Sequence, residues 1–242
     1  MTILKKHFKA AARFCGLEIK RFLPATSHAA QLKAMLLWHK VNLVLDVGAN
    51  IGQYGEELRN HVDYRGRIIS FEPMRHAHEA LNKAAARDDL WEIAERTAIG
   101  AEKSTVTINI SSNSVSSSVL PMLDAHLCAA PESRYSDTEQ VPLIPLDLIA
   151  PKYIEDNSVV FLKIDTQGYE GEVLKGARET LQKVVGVQME LSLVPLYGQQ
   201  QLMPELLQRM SDMGFELWGI SPTFAEPSTG RMLQVDATFF RR

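Results

Sequence analysis

From Val41 onward, short apolar runs alternate with stretches whose apolar residues recur at helical spacing. Val41–Val47, Arg67–Phe71, Trp91–Ile99, Val159–Ile164 and Val184–Leu191 read as strands, and Gly52–Asn60, Ala77–Ala86, Glu170–Lys183 and Pro204–Met213 as helices. This order predicts an α/β, doubly wound and mostly parallel sheet. The unbroken apolar character of VNLVLDV and VVFLKI suits strands covered on both faces. Near the C-terminus, Phe215–Ile220 and a second run are joined without a helix, through the turn-rich PTFAEPSTG. In that run Leu233, Val235, Ala237 and Phe239 alternate with Gln234, Asp236, Thr238 and Phe240, which predicts an antiparallel hairpin at one sheet edge. Thr105–Ile110 and Val141–Leu146 flank a serine-rich loop, SSNSVSSS at 111–118, and predict a small accessory sheet.

The first 40 residues follow a different pattern. Phe8, Ala12, Cys15, Ile19 and Phe22 recur at steps of four and three, predicting one amphipathic helix between residues 3 and 23. A second helix is predicted from a Ser27 cap to Trp38, with Ala29, Leu32 and Leu36 inward. Residues 1–40 are therefore read as a basic helical extension and 41–242 as the main domain. The extension carries eight basic side chains against the single Glu18, a net of +7, leaving −10 for the remainder. Its functional readings are an anionic membrane surface, an acidic carrier or glycan, or a homodimer contact through Phe8, Cys15 and Phe22. The alternative is a helix packed on the sheet with its lysines in solvent.

At 242 residues, 45% hydrophobic and 23% charged, the chain is a globular protein rather than a disordered or disulfide-stapled one. Its net charge of −3 gives no reason to expect nucleic acid as a partner. Cys15 and Cys128 are too few for a disulfide framework and point to a reducing compartment. No apolar run approaches the roughly 18 residues of a membrane span, and Arg13 and Glu18 interrupt the place where a signal peptide would be apolar. A cytoplasmic location is expected.

The strongest local signal is VLDVGANIGQYG at 44–55, where a strand ends and a helix opens. Gly48 and Gly52 would let the backbone approach a ligand at a helix N-terminus. Asp46-x-Gly48-x-x-x-Gly52 is not the G-x-G-x-x-G of a dinucleotide site. It places a carboxylate just before a single tight-turn glycine, which suits a cofactor without a pyrophosphate but with a cationic amino acid portion. Asp46 would hold that ammonium directly or through water, or else it belongs to an ordinary strand-to-helix turn. SFEP at 70–73 puts Glu72 where an acid can accept hydrogen bonds from both ribose hydroxyls.

FLKIDTQGYE at 161–170 is a third strand end. Lys163 and Asp165 share a face, and a lysine in a doubly covered strand needs a partner, Glu190 or Asp165 itself. Asp165 would position the cofactor or act as general base; otherwise Lys163, Asp165 and Glu190 form a structural ion cluster. Gln167 and Glu170 divide between the same two roles. The seven histidines are scattered, and His76-x-His78 on a helix points two ways, so no metal is expected.

VLDVGANIGQYG, SFEP, KIDTQGYEGEVLKGA and VQMELS, in that order, resemble the FkbM-type S-adenosylmethionine-dependent methyltransferases over about residues 41 to 240. The resemblance implies a Rossmann-like class I methyltransferase fold: a seven-stranded, mostly parallel sheet with an antiparallel last hairpin. It implies S-adenosylmethionine as cofactor and O-methylation as the activity. Asp46, Gly48, Asn50 and Gly52 fall on the family's cofactor loop, Glu72 on its ribose acid, and Lys163, Asp165, Gly168 and Glu170 on its fourth-strand motif. Pro73 and Ala98 complete the expected cofactor set. Gln167 stands where the family commonly has Glu, so that carboxylate's role must move to Asp165 or Glu190 or be absent.

A hydroxyl acceptor needs its proton removed, and Asp165, with Glu190 and Lys163, is the candidate catalytic group. The acceptor is expected to be a small molecule or glycan, contacted by the serine loop, the 121–140 region, Tyr197 and Gln199. The rival readings are a nicotinamide-dependent oxidoreductase on the same topology and a binding protein that keeps the cofactor pocket without the chemistry.

Overall fold

The computed structural model describes residues 3–242, with side chains from His7 onward. Two helices, α1 (Ile3–Phe14) and α2 (His28–Trp38), precede the sheet. Then follow β1 (Leu43–Val47), α3 (Gln53–Asn60), β2 (Arg67–Phe71), α4 (Arg75–Ala85), β3 (Trp91–Ile93), β4 (Ala98–Ile99) and β5 (Ser104–Ser111). The chain continues through α5 (Asp124–Ala129), β6 (Tyr135–Ile144), α6 (Leu146–Ile149), β7 (Val160–Ile164), α7 (Glu170–Lys175) and α8 (Arg178–Lys183). It ends with β8 (Val184–Ser192), α9 (Met203–Asp212), β9 (Phe215–Ala225) and β10 (Met232–Arg241).

Seven strands form the main sheet in the order β3-β2-β1-β7-β8-β10-β9. All neighbours from β3 to β8 are parallel, and β10 runs antiparallel to both β8 and β9. This is the doubly wound, class I methyltransferase arrangement that the resemblance implied. The apolar runs of β1 and β7 are buried along their whole length, because one set of alternating side chains faces each helical layer. Leu43, Leu45, Val47, Leu162 and Ile164 join one core with α7, α8 and α9. Val44, Ile68 and Phe161 join the other with α2, α3 and α4. The accessory sheet, β4-β6-β5, packs on α4 through Val141, Leu143 and Ala77.

β6 starts earlier than expected, at Tyr135, and β9 runs on to Ala225; three further elements are divided or cut short. Trp91–Ile99 is not one strand: β3 ends after Ile93, and the chain crosses to the accessory sheet, where Arg96 Nη1 donates to Glu139 Oε1 at 2.5 Å and to the Pro73 carbonyl at 2.9 Å. Glu170–Lys183 is two helices, because Gly176 is pressed so closely on Gly100 that a Cβ there would lie 1.9 Å from the Gly100 carbonyl oxygen. The helix between residues 3 and 23 stops at Phe14. Gly16 adopts φ +75°, its N–H donating to the Arg13 carbonyl and that of Leu17 to the Ala12 carbonyl. That is a Schellman closure, and it strips Ile19 and Phe22 from the helical stripe. Ser27 does cap α2, accepting from the Ala30 N–H at 3.4 Å.

Candidate active site

At the C-terminal ends of β1, β2 and β7 a cavity of about 530 Å³ opens beneath a roof formed by Asn113–Val119. The chain winds away from β1 in both directions here, which is where open α/β sheets hold ligands. The volume lies within the about 300–1,000 Å³ of small-molecule sites.

The β1–α3 loop forms one wall. Gly48 takes φ +82°, and a Cβ on it would lie 1.8 Å from the Asp165 carbonyl oxygen, so the loop and the end of β7 touch backbone to backbone. Gly48 and Ala49 donate their N–H groups to the Phe71 carbonyl at 3.0 and 3.1 Å, and Asn50 donates its own to Glu72 Oε2 at 2.8 Å. These three amides are spent on the end of β2, two on the Phe71 carbonyl and one on Glu72, and do not form a phosphate cradle. Met74 N–H donates to Glu72 Oε1 at 2.8 Å. Each oxygen of Glu72 keeps acceptor capacity, and burial pushes its pKa up to about 7. Phe71, Pro73, Met74, Ala98 and Ile99 line an apolar slot beside it.

Two residues of the expected cofactor set do not line the cavity. Asp46 is fully buried one layer behind it, on the face shared with Lys163. Its Oδ2 accepts from the Ser70 hydroxyl at 3.0 Å, that hydroxyl accepts from Trp91 Nε1 at 3.0 Å, and Oδ1 has no partner. Burial, opposed by the Lys163 charge and the Ser70 hydrogen bond, lifts its pKa to about 6. Gly52 faces the protein interior: a Cβ there would meet Trp91, Leu81 and Ala84 at 3.1–3.3 Å. Its smallness serves the packing of α3 on α4, not access for a ligand.

The opposite wall is a network of carboxylates and amides. Lys163 Nζ donates to Asp165 Oδ2 at 3.1 Å and lies 5.0 Å from the Tyr54 ring centroid. Its partner is thus Asp165, not Glu190. Burial works against its charge, but the carboxylates of Asp165, Asp236 and Asp46 outweigh this and hold its pKa up. Gln167 Nε2 donates to both Asp165 Oδ1, at 2.8 Å, and Glu190 Oε2, at 2.9 Å, while its Oε1 accepts from the Tyr197 hydroxyl at 2.7 Å. Gln234 Nε2 adds a second donor to Glu190 Oε2 at 2.8 Å. Both oxygens of Asp165 and both of Glu72 are therefore engaged. Glu190 Oε1 has no hydrogen-bond partner among the described residues, and Glu190 lines the cavity. Burial, reinforced by the charges of Asp165, Asp236 and Glu170, keeps the Glu190 carboxyl well above the usual range. Glu170 does not line the cavity; its Oε1 accepts from the N–H groups of Thr166 and Gly168 at 3.0 and 3.2 Å and fixes the loop.

The serine loop is a tied-down roof. Asn113 Nδ2 donates to Ser133 Oγ at 2.9 Å and Ser116 Oγ at 3.2 Å, and the Ser118 hydroxyl donates to the Gln167 carbonyl at 2.7 Å. The far end is walled by His126, Glu132, Ser133 and Phe224. His126 is 3% exposed, its ring 5.2 Å from those of Tyr197 and Phe224, and its Nδ1 has no partner. Burial pushes its pKa down. Gln234, Phe224 and Tyr54 were not singled out as site residues in the sequence: Gln234 sits on the polar face of an alternating strand, Phe224 in a stretch read as a turn that instead continues β9, and Tyr54 in the first helical turn after the glycine loop; His126 and Ser133 lay within the flagged 121–140 region. Tyr197 stands behind Gln167 instead of lining the cavity, and Gln199 is exposed outside it. Among the described residues no group of three or more His, Cys, Asp or Glu side chains is placed to hold a metal ion, and no helix is long and apolar enough to cross a membrane.

Residues 46–217 match the family model described as the Methyltransferase FkbM domain. Among solved structures, the fold is similar to a methyltransferase FkbM from Methylobacillus flagellatus KT, at 13% identity and TM-score 0.51, over 98% of this chain and 71% of that one. It is also similar to the magnesium protoporphyrin IX methyltransferase of Synechocystis PCC 6803 with bound SAH, at 10% identity and TM-score 0.47, over 88% and 82% of the two chains. No curated protein matches the sequence significantly.

Proposed function

The chain belongs to the FkbM methyltransferase family, and from that premise we propose that it transfers a methyl group from S-adenosylmethionine to a hydroxyl of a small-molecule or glycan acceptor. The residues present fit the cofactor. Phe71, Pro73, Met74, Ala98 and Ile99 offer an apolar slot for an adenine ring, and Glu72, held by two backbone amides, offers the two acceptor positions a ribose diol needs. The occupied amides of the β1–α3 loop argue against a pyrophosphate ligand, and hence against a nicotinamide cofactor. Asp46, buried behind the wall, is poorly placed for the ammonium of the cofactor; Asp165, which lines the cavity, takes that role.

When bound, the cofactor supplies an electrophilic methyl group on a sulfonium, whose departure needs no protonation. The chain's task is alignment of the acceptor and removal of its hydroxyl proton. The observation that carries the O-methylation reading is Glu190 Oε1, which among the described residues is the one oxygen of the Glu72, Asp165 and Glu190 carboxylates without a partner. Glu190 takes the acceptor's proton, while Gln167 and Gln234 hold its Oε2 and Lys163 holds Asp165. The raised pKa of Glu190 makes it a stronger base than an exposed carboxylate.

Calorimetric titration with S-adenosylmethionine and S-adenosylhomocysteine, with NADH as control, tests the cofactor. Saturable binding of both adenosyl ligands, weakened by Glu72→Ala, is expected. NADH binding with no adenosyl-ligand binding by folded protein refutes the assignment. Saturable cofactor binding with no turnover on any of a panel of hydroxylated glycosides and natural products would instead favour a binding protein without chemistry.

A further inference from the structure

From His7 to Thr26 every side chain is exposed except the half-buried Ala12. Phe8 is 65% exposed and Phe14 94%, and Leu17, Phe22 and Leu23 are exposed with them. With Ile19, six large apolar side chains within sixteen residues thus have no covering among the described residues, which speaks against burial on the sheet as this segment's role. On α1, Phe8, Ala11 and Ala12 share one face, and Lys9 and Arg13 fall beside it by helical spacing. Past the Gly16 turn, Lys20 and Arg21 flank Phe22. Lys9, Lys20 and Arg21 border one shallow groove with Ile220 and Pro222 of β9, which places the segment at the sheet's edge. Glu18, the only acidic residue among the first 40, lies 3.0 Å from Lys20 and 3.9 Å from Arg13, and leaves residues 7–26 with a net charge of +3.

An amphipathic helix with a basic flank, followed by exposed aromatic and leucine side chains, has the chemistry of a segment that lies in the plane of a bilayer surface. We propose that residues 7–26 dock on an anionic lipid bilayer, the apolar side chains entering the headgroup boundary and Lys9, Arg13, Lys20 and Arg21 contacting anionic headgroups. Charge selects this occupant. A second copy would bring the +3 of residues 7–26 against another +3, whereas an anionic surface complements it, each basic side chain near such a surface contributing about 1 kcal/mol. The inference does not rest on the methyl-transfer reading and fails or stands separately from it.

The test is co-sedimentation of the full chain with large vesicles of phosphatidylcholine alone or mixed with phosphatidylglycerol. Binding to the mixed vesicles only, reversed by high salt, is expected. The combined variant Lys9→Gln, Arg13→Gln, Lys20→Gln, Arg21→Gln should lower partitioning on the order of a hundredfold to a thousandfold. Phe8→Ser with Phe14→Ser should weaken it with the charge intact. These side chains are exposed, so the variants keep the wild-type thermal unfolding curve, which is recorded beside each assay. Three results overturn the proposal: no binding to mixed vesicles by folded protein, binding unaffected by the four glutamines, or a dimer in solution that Phe8→Ser with Phe14→Ser dissolves, which would assign the face to a second copy.

Discussion

Gln167→Glu is the substitution that the cavity wall should tolerate least. The Gln167 amide nitrogen donates to Asp165 at 2.8 Å and to Glu190 at 2.9 Å. A carboxylate can donate neither bond and would put a third negative oxygen against two others. Two hydrogen bonds to charged acceptors are worth about 1.5–3 kcal/mol each. The Asp165 side chain is 33% exposed, so screening reduces this, and an expected loss of about 2–4 kcal/mol remains at pH 8. The loss should depend on pH. The new carboxyl is held above its unfolded pKa of about 4.3, because its neighbours are carboxylates. The deficit is therefore small below that value and grows as pH rises toward the folded pKa. Urea unfolding of wild type, Gln167→Glu and Gln167→Leu between pH 5 and 8 measures it. A Gln167→Glu deficit under about 1 kcal/mol at pH 8, or one as flat with pH as that of Gln167→Leu, would refute the bridging role.

Glu190→Gln should lower turnover on an active acceptor by about 100- to 10,000-fold while leaving S-adenosylhomocysteine affinity within a few-fold; since the base works ionised, wild-type turnover should rise with pH through its raised pKa, and an unchanged rate in the variant would exclude it as base. Gly48→Ala combines a left-handed φ with a Cβ overlapping the Asp165 carbonyl, and should cost about 3 kcal/mol or more by chemical denaturation; a cost under about 1 kcal/mol would mean that the two loops are not in contact. His126→Phe keeps the edge-on and tilted ring contacts with Tyr197 and Phe224 and removes a buried nitrogen without a partner among the described residues, so stability should be equal or higher. The native imidazole titrates below its unfolded value of 6.5, so wild-type stability falls as pH drops through 6.5, and the variant should lose that part of the acid limb; identical pH–stability curves would show that His126 is not protected from protonation.

The sheet, its antiparallel end and the accessory pair were legible because β1, β7 and the hairpin carry their burial pattern in consecutive residues. The same local logic pointed to Glu72, Lys163 and Asp165, near the ends of apolar runs, and all three line the cavity. It pointed equally to Asp46 and Gly52, which do not line it, since a one-dimensional motif does not say whether a residue at a strand end turns toward the cavity or toward the helix behind; here register with Lys163 and the pressure of Trp91 decide. It also ran α1 past Gly16 and joined α7 to α8, because periodicity continues through a residue whose backbone tertiary contact or cap geometry has stopped the helix. What the sequence determined by itself is the order of elements, the acids at their ends and the basic, amphipathic start. Only the tertiary structure decided that Gln167, Glu190 and Gln234, separated by 23 and 44 residues, meet in one network in which Glu190 Oε1 has no partner among the described residues. Such pairings depend on strand order and on loop closure in space, which no local pattern encodes.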